Sequence, residues 1–226
     1  MASFQYEDLG TKDYKECWNY QESLMKNVIY EKLSKKKPTS KNHFLLVEHN
    51  HVYTLGRSGD INNLLVDKNF LNKIKATYYK IDRGGDITYH GPGQLVGYPI
   101  IDLEYYHLGI KQYIEKMENA IIEIIGYYGI KGGLKKGATG VWLDADDPSK
   151  ARKICAIGVR ASRYVTMHGF ALNINTDLKY FGFINPCGFT DYGVTSVQKE
   201  IGRTVDMREV KKLTKKTFNL VFDNIN

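Results

Sequence analysis

A chain of 226 residues, 42% apolar and 25% charged, is long enough to bury one sizeable core and too apolar for wholesale disorder. Its apolar runs are broken well before a bilayer would be crossed, and the amino terminus has neither a secretory nor a transit pattern, so a single cytoplasmic domain over residues 1–226 is expected. The formal charge of +7 suits an anionic partner, but no nucleic-acid motif accompanies the basic runs at 35–37 and 211–216, which read as solvated helix faces.

Tyr14, Trp18, Gln21, Met25, Val28, Ile29 and Leu33 recur at helical spacing and predict an amphipathic helix over 12–36, stopped before Pro38. Its apolar stripe reads as core. Strands are expected over 43–48 and 52–55, joined by the turn-like His49-Asn50-His51, followed by a short helix over 67–75. A strand over 76–82 then delivers the chain to Arg83.

Residues 95–103 read as a buried strand. Tyr113, Ile114, Met117, Ala120, Ile121, Ile124, Ile125 and Tyr128 form the clearest helical stripe, closed by Gly129. Residues 137–143 lead into another strand. The acidic turn Asp144-Ala145-Asp146-Asp147-Pro148 has no partner histidine, so no metal is assigned to it. Strands over 153–159 and 165–174 are expected to pair, the second carrying His168, a lone histidine that reads first as a hydrogen-bonded structural residue. Asp206-x-x-Glu209 resembles a capping box ahead of a scaffold helix with Val210, Leu213, Thr217, Phe218 and Val221 on one face.

Two stretches carry chemistry. From Arg83-Gly84-Gly85 to Gly91-Pro92-Gly93 the glycines permit left-handed backbone or close approach to a ligand. The run has neither dinucleotide nor P-loop spacing, so a ligand cradle and a plain hairpin stand as equal readings. The second stretch holds Lys153, which opens K-I-C-A-I-G-V-R, and Cys187 between Pro186 and Gly188. A lysine beside a thiol stabilises the thiolate, and an apolar pocket lowers the lysine's own pKa, so the pair suits acyl transfer through a thioester. Residue type alone leaves a tight turn and a solvated strand end as the plain alternative. Cys17 beside Trp18 and Cys155 within an apolar strand read as small buried residues, and the three cysteines have no CxxC spacing, which suggests neither a disulfide framework nor a zinc site.

Four motifs in order weigh on that choice: R-G-G-D-I-T-Y-H-G-P-G-Q-L-V-G-Y-P-I (83–100), K-I-C-A-I-G-V-R, H-G-F-A-L-N and P-C-G. With Tyr14, Trp18, Gln21 and V-Y-T-L-G-R (52–57), they resemble the octanoyltransferase family, also called lipoyl(octanoyl) transferase or lipoate-protein ligase B, over residues 9–200. His51 stands where that family often has proline, a departure that touches a turn.

The resemblance implies an α/β fold, a mixed sheet with packed helices like the catalytic domain of biotin and lipoate protein ligases. It implies an enzyme that moves an octanoyl group from acyl carrier protein to a lysine of lipoyl domains, in 2-oxoacid dehydrogenases and the glycine cleavage H protein, as the first step of endogenous lipoate formation. In that reading Cys187 carries the acyl group and Lys153 activates it. Arg83, Gly84, Gly85, Asp86, Ile87, Thr88, Tyr89 and His90, with Ala156, Ile157, Gly158, Gly169, Phe170 and Ala171, line the acyl pocket. His90 and His168 orient the thioester or the lysine. No ATP, metal or other cofactor is expected, and neither nucleic acid nor membrane is a partner. An ATP-dependent lipoate or biotin ligase and a non-catalytic relative are the alternatives. The Pro-Cys-Gly and His-Gly-Pro-Gly-Gln runs favour the transferase over the first, and the presence of both Lys153 and Cys187 argues against the second.

Overall fold

Asp13 starts the first long helix. Its carboxylate accepts the backbone N–H groups of Lys15 (2.8 Å) and Glu16 (3.1 Å), which would otherwise lack partners, so α1 (Tyr14–Leu33) begins at the next residue. This computed structural model describes residues 4–34, 42–185 and 193–223. The buried face of α1 is Tyr14, Cys17, Gln21, Leu24, Met25 and Val28. Leu33, expected in the stripe, is instead 57% exposed.

The main sheet has the order β1-β2-β6-β10-β9-β8-β7, comprising β1 (Gln5–Lys12), β2 (His43–His49), β6 (Gln94–Ile100), β7 (Gly133–Lys135), β8 (Ala138–Leu143), β9 (Arg152–Ser162) and β10 (Val165–Asn173). It is mixed: β1 runs parallel to β2, while β2, β6, β10, β9, β8 and β7 pair antiparallel. A short β11 (Gly193–Val194) lies parallel to the start of β9. A second sheet of order β4-β3-β5 is built from β3 (Val52–Leu55), β4 (Thr77–Lys80) and β5 (Ile87–His90). The two strands flanking His49-Asn50-His51 therefore belong to different sheets.

One face of the main sheet is covered by α3 (Ile110–Gly126) and α5 (Met207–Asp223), whose stripes bury Met117, Ile121, Ile124, Val210 and Phe218 against Phe44, Leu95, Ile154 and Leu172. Each such side chain is worth about 1.5–3 kcal/mol relative to exposure. Helix α3 stops at Gly126, two residues before the end of its apolar stripe at Tyr128, and Gly129 at φ +77 turns the chain beyond it. The Asp206 carboxylate accepts from the Arg208 backbone N–H (2.9 Å) at the start of α5.

The opposite face carries α1 over β10 and β6, in one apolar cluster with Leu45, Val47, Val96, Tyr98 and Ala171. The second sheet packs with α2 (Lys68–Lys73) and the turn Leu178–Phe183. A short α4 (Val197–Ile201) follows β11. Among the described residues no helix is long and apolar enough to cross a membrane.

Candidate active site

Strand β9 carries one residue too many. Val141 of β8 faces Cys155 and Trp142 faces Lys153, so Ile154 is the extra residue of a β-bulge. Strict alternation would put Lys153 on the same face as Cys155. With the bulge, Ile154 and Cys155 both turn into the core under the helices, while Lys153 joins Ala156 and Gly158 on the other face. Pairing continues this phase onto β10, where Ala171 faces Ala156 and Gly169 faces Gly158.

That face is the floor of a cavity of about 980 Å³. Val96, Tyr98 and Gln94 of β6 close it at one side, and Gly137, Ala138, Thr139 and Trp142 at the other. The roof comes from the second sheet and the segments beside it: Arg83, Gly85, Asp86, Ile87, Thr88 and His90, then Leu178, Phe181 and Gly182. Asn185 and Gly193 line it as well. Much of the lining is aliphatic or aromatic.

The Arg83-Gly84-Gly85 passage lies directly on β9. Gly84 N–H donates to the Val159 carbonyl (2.9 Å), and a Cβ on Gly158 would come within 2.9 Å of the Gly84 carbonyl oxygen. A glycine at 158 is what lets the passage lie so low. Arg83 is 8% exposed, and its guanidinium donates to the Thr54 carbonyl (2.7 Å), Thr54 Oγ1 (3.0 Å) and the Gly84 carbonyl (3.0 Å). Those bonds fix the passage to β3. Asp86 accepts from Asn63 Nδ2 (2.6 Å) and from the Ile87 backbone N–H (2.7 Å), pinning the next turn.

A relay of buried amides runs from the roof to the far edge. His90 Nδ1 is 2.9 Å from Gln94 Oε1; Gln94 Nε2 donates to the Tyr89 carbonyl (3.1 Å) and to Asn173 Oδ1 (2.9 Å); Asn173 Nδ2 donates to the Thr195 carbonyl (3.0 Å). Because both Gln94 N–H groups are committed, its oxygen must face the histidine, which makes His90 Nδ1 the donor and leaves its Nε2 with a lone pair. Burial, with His49 nearby, pushes the His90 pKa down to about 3, so this imidazole is neutral at ordinary pH.

His168 sits at φ +59, 1% exposed, with Nε2 3.0 Å from Asp82 Oδ1. Its backbone N–H donates to Gln21 Oε1 (3.0 Å), which explains a glutamine in the buried stripe of α1. The bond to His168, with Arg160 close by, holds the Asp82 carboxyl below its usual range, while burial lowers the His168 pKa despite that carboxylate. Both directions agree with a neutral imidazole donating from Nε2 to an ionised Asp82.

Of the residues expected around an acyl pocket, Arg83, Gly85, Asp86, Ile87, Thr88, His90, Ala156, Ile157, Gly158, Gly169, Phe170 and Ala171 line this cavity, as do Lys153 and His168. Gly84 and Tyr89 do not line it: Gly84 faces β9, and Tyr89 alternates to the other face of β5, where it packs against Tyr53 and Tyr180. Cys187 lies outside the described residues. The other two cysteines are fully buried, and burial raises the thiol pKa of Cys17 to about 12 and pushes that of Cys155 up also.

Residues 13–219 match the lipoyl protein ligase A/B catalytic domain. An octanoyltransferase of Parabacteroides distasonis is 50% identical over 222 residues, 98% of this chain and 100% of the relative. One of Flavobacterium psychrophilum is 53% identical over 226 residues, 98% of this chain and 97% of the relative. The chain belongs to the octanoyltransferase family. It is an acyltransferase of the lipoyl(octanoyl) transferase type, serving lipoate biosynthesis by octanoyl transfer. Among solved structures, the bi-partite lipoate protein ligase of Thermoplasma acidophilum superposes with a TM-score of 0.71 at 16% identity, covering 99% of this chain and 85% of that one. A lipoate-protein ligase A bound with ATP gives 0.68 at 15%, covering 98% and 86%. The fold is thus that of the lipoate ligases.

Sequence reasoning assigned no role in this octanoyltransferase site to Gln94, Asn173, Asp82 or Trp142. Gln94 and Asn173 were visible as polar residues inside otherwise apolar strand runs, and a buried amide must find partners. Asp82 and Trp142 gave no such signal, because their roles depend on a partner brought in from another strand.

Proposed function

We propose that the chain takes an octanoyl group from octanoyl-acyl carrier protein onto Cys187 and passes it to a lysine of lipoyl domains, those of 2-oxoacid dehydrogenases and of the glycine cleavage H protein, with Lys153 as the activating partner. The observation that supports this most is that Lys153, Asn185 and Gly193 line one cavity. Cys187 follows Asn185 by two residues, and two extended residues span at most about 7 Å. Cys17 and Cys155, by contrast, are fully buried in the core and do not line the cavity.

In the first half-reaction the Cys187 thiolate attacks the thioester carbonyl. A carbon–sulfur bond to Cys187 forms, the bond to the carrier's pantetheine sulfur breaks, and that sulfur leaves as a thiol after taking a proton. In the second, the neutral amine of the acceptor lysine attacks, a carbon–nitrogen bond forms, and Cys187 leaves as the thiolate. The amine proton passes to a base in the site, for which Lys153 in its neutral form is the candidate. The ammonium form of Lys153 stabilises the thiolate in both steps. A fatty chain offers no hydrogen bonds, and the aliphatic lining with its glycine floor at Gly158 and Gly169 suits it. Thioester exchange needs no external energy, so ATP is not required.

Intact-mass measurement after incubation with octanoyl-acyl carrier protein tests this reading. The wild-type chain gains one octanoyl adduct without ATP, Cys187→Ala gains none, and Lys153→Ala gains it slowly. An adduct that maps to Cys17 or Cys155, or acylation that consumes ATP, overturns it.

A further inference from the structure

The bulge at Ile154 does more than bring Lys153 to the cavity; it sets Trp142 opposite it. Directly opposed residues of an antiparallel pair share a face with their Cβ atoms about 5 Å apart. The Lys153 ammonium accordingly lies 4.6 Å from the centre of the indole. Trp142 is held rigidly, 3% exposed, with Nε1 donating to the Ala138 carbonyl at 3.0 Å. The bulge is itself held from behind, where Glu118 of α3 accepts the Gly140 backbone N–H at 2.8 Å.

We propose that Trp142 is a positioning residue for octanoyl transfer: its indole face fixes the Lys153 ammonium at the cavity floor and keeps that lysine charged in the resting enzyme. This rests on the reading of Lys153 as partner of the Cys187 thiol. An aromatic face attracts a cation through its quadrupole, most strongly for tryptophan and more strongly out of water. The ring therefore opposes the tendency of an apolar cavity to strip the proton from a lysine. It also directs the ammonium through the ring face, which takes no N–H donor as a hydrogen-bond acceptor would. The Glu118 carboxyl on α3 and the Cys155 thiol on β9 interact with its charge, and Lys135 on β7 shares the same indole at 6.0 Å while donating to the Ala145 carbonyl. β11 contributes only Gly193 and Val194.

The test is the pH dependence of Lys153 modification by trace acetic anhydride in the full chain, read by peptide mass spectrometry. Removing the ring's attraction favours the neutral amine, so in Trp142→Leu the midpoint of Lys153 reactivity falls by about 0.5–1.5 pH units, and Trp142→Phe recovers part of the shift. Because Trp142→Leu could fold poorly, tetrafluorotryptophan is incorporated in a Trp18→Phe background, which leaves Trp142 the sole indole, keeps its shape and removes its quadrupole. The same downward shift is expected there. An unchanged Lys153 midpoint in the fluorinated protein overturns the proposal. The labelling uses no acyl donor, so that result leaves the Cys187 mechanism standing, whereas a missing adduct on Cys187 sinks the mechanism without touching the labelling.

Discussion

Gly169 passes so close to β6 that a Cβ on it would lie 2.2 Å from the Gly97 carbonyl oxygen and 2.8 Å from Pro99 Cδ. Neither atom is the tip of a flexible side chain, so Gly169→Ala must move β10 away from β6, at a cost of about 1–3 kcal/mol. The same residue lines the cavity, so its displacement also reshapes the floor under the acyl chain. Gly126→Ala, where an added Cβ meets nothing within 4 Å, is the control. Urea midpoints should fall for Gly169→Ala and hold for Gly126→Ala; equal midpoints would contradict the crowding argument.

His49 makes stability depend on pH. Its Nδ1 lies 2.8 Å from the Lys12 carbonyl, which can only accept, and its Nε2 lies 2.8 Å from the Tyr98 hydroxyl, so the ring is held neutral by one donated and one accepted bond. Burial pushes its pKa down to about 4, as it pushes that of His90 down to about 3. The unfolded chain therefore binds more protons than the folded one below about pH 6.5. The stabilisation is complete above that pH and is lost as pH falls toward 4, on the order of 3 kcal/mol for His49. Asp82 and Glu200, whose pKa values are lowered, lose theirs only further down, through the carboxylate range. Between pH 7 and 5 the urea midpoint of the wild type should drop, and that of His49→Gln should drop less.

The contrast between α3 and β1 shows what the sequence could convey. The α3 stripe is apolar on one face and lands on the core with the residues expected, because helix burial follows local spacing. β1, Gln-Tyr-Glu-Asp-Leu-Gly-Thr-Lys, is polar enough to pass for an unstructured leader, and only its parallel pairing with β2 makes it a strand. The β9–β10 turn hides its geometry similarly: Arg163 and Tyr164 take φ +50 and +63, values for which Asn-Gly would have been the usual signal. In the site, Lys153 opens an apolar run and could have passed for a solvated strand end; the resemblance of its motif to the octanoyltransferases singled it out. The bulge that aims it was not legible, because Lys-Ile-Cys-Ala alternates no differently in writing whether or not Ile154 is paired.

Asp82 should set how far the His168 pKa is lowered. The carboxylate is the acceptor for Nε2, and its second oxygen pairs with Arg160. In Asp82→Asn the imidazole loses the group that favours its protonation while the burial that opposes it remains. The His168 pKa, already lowered, should then fall further. Histidine proton titrations by NMR measure this directly. A His168 that titrates in its ordinary range in the wild type would mean that the ring is more hydrated than its burial indicates.

Glu118 is buried in α3 with its carboxylate on the Gly140 N–H, and burial raises its pKa above the usual range. A raised carboxylate pKa means that the folded chain holds its proton more tightly than the unfolded one, so this residue's contribution weakens as pH rises through that window. The hydrogen bond matters separately from the charge. Glu118→Gln keeps an acceptor for Gly140 and removes the desolvated charge, so stability at pH 7 should hold or rise slightly. Glu118→Ala leaves a buried N–H unpaired at the bulge and should cost about 1–3 kcal/mol. Gly140 stands at φ +115, and a Cβ there would lie 2.4 Å from the Cys155 carbonyl oxygen, so this position of β8 requires glycine. If the bulge depends on this bond, Glu118→Ala also loosens the contact between Trp142 and Lys153, and octanoyl transfer slows by more than the lost stability explains. Normal transfer by a destabilised Glu118→Ala would show that the strands hold the bulge without help from the helix.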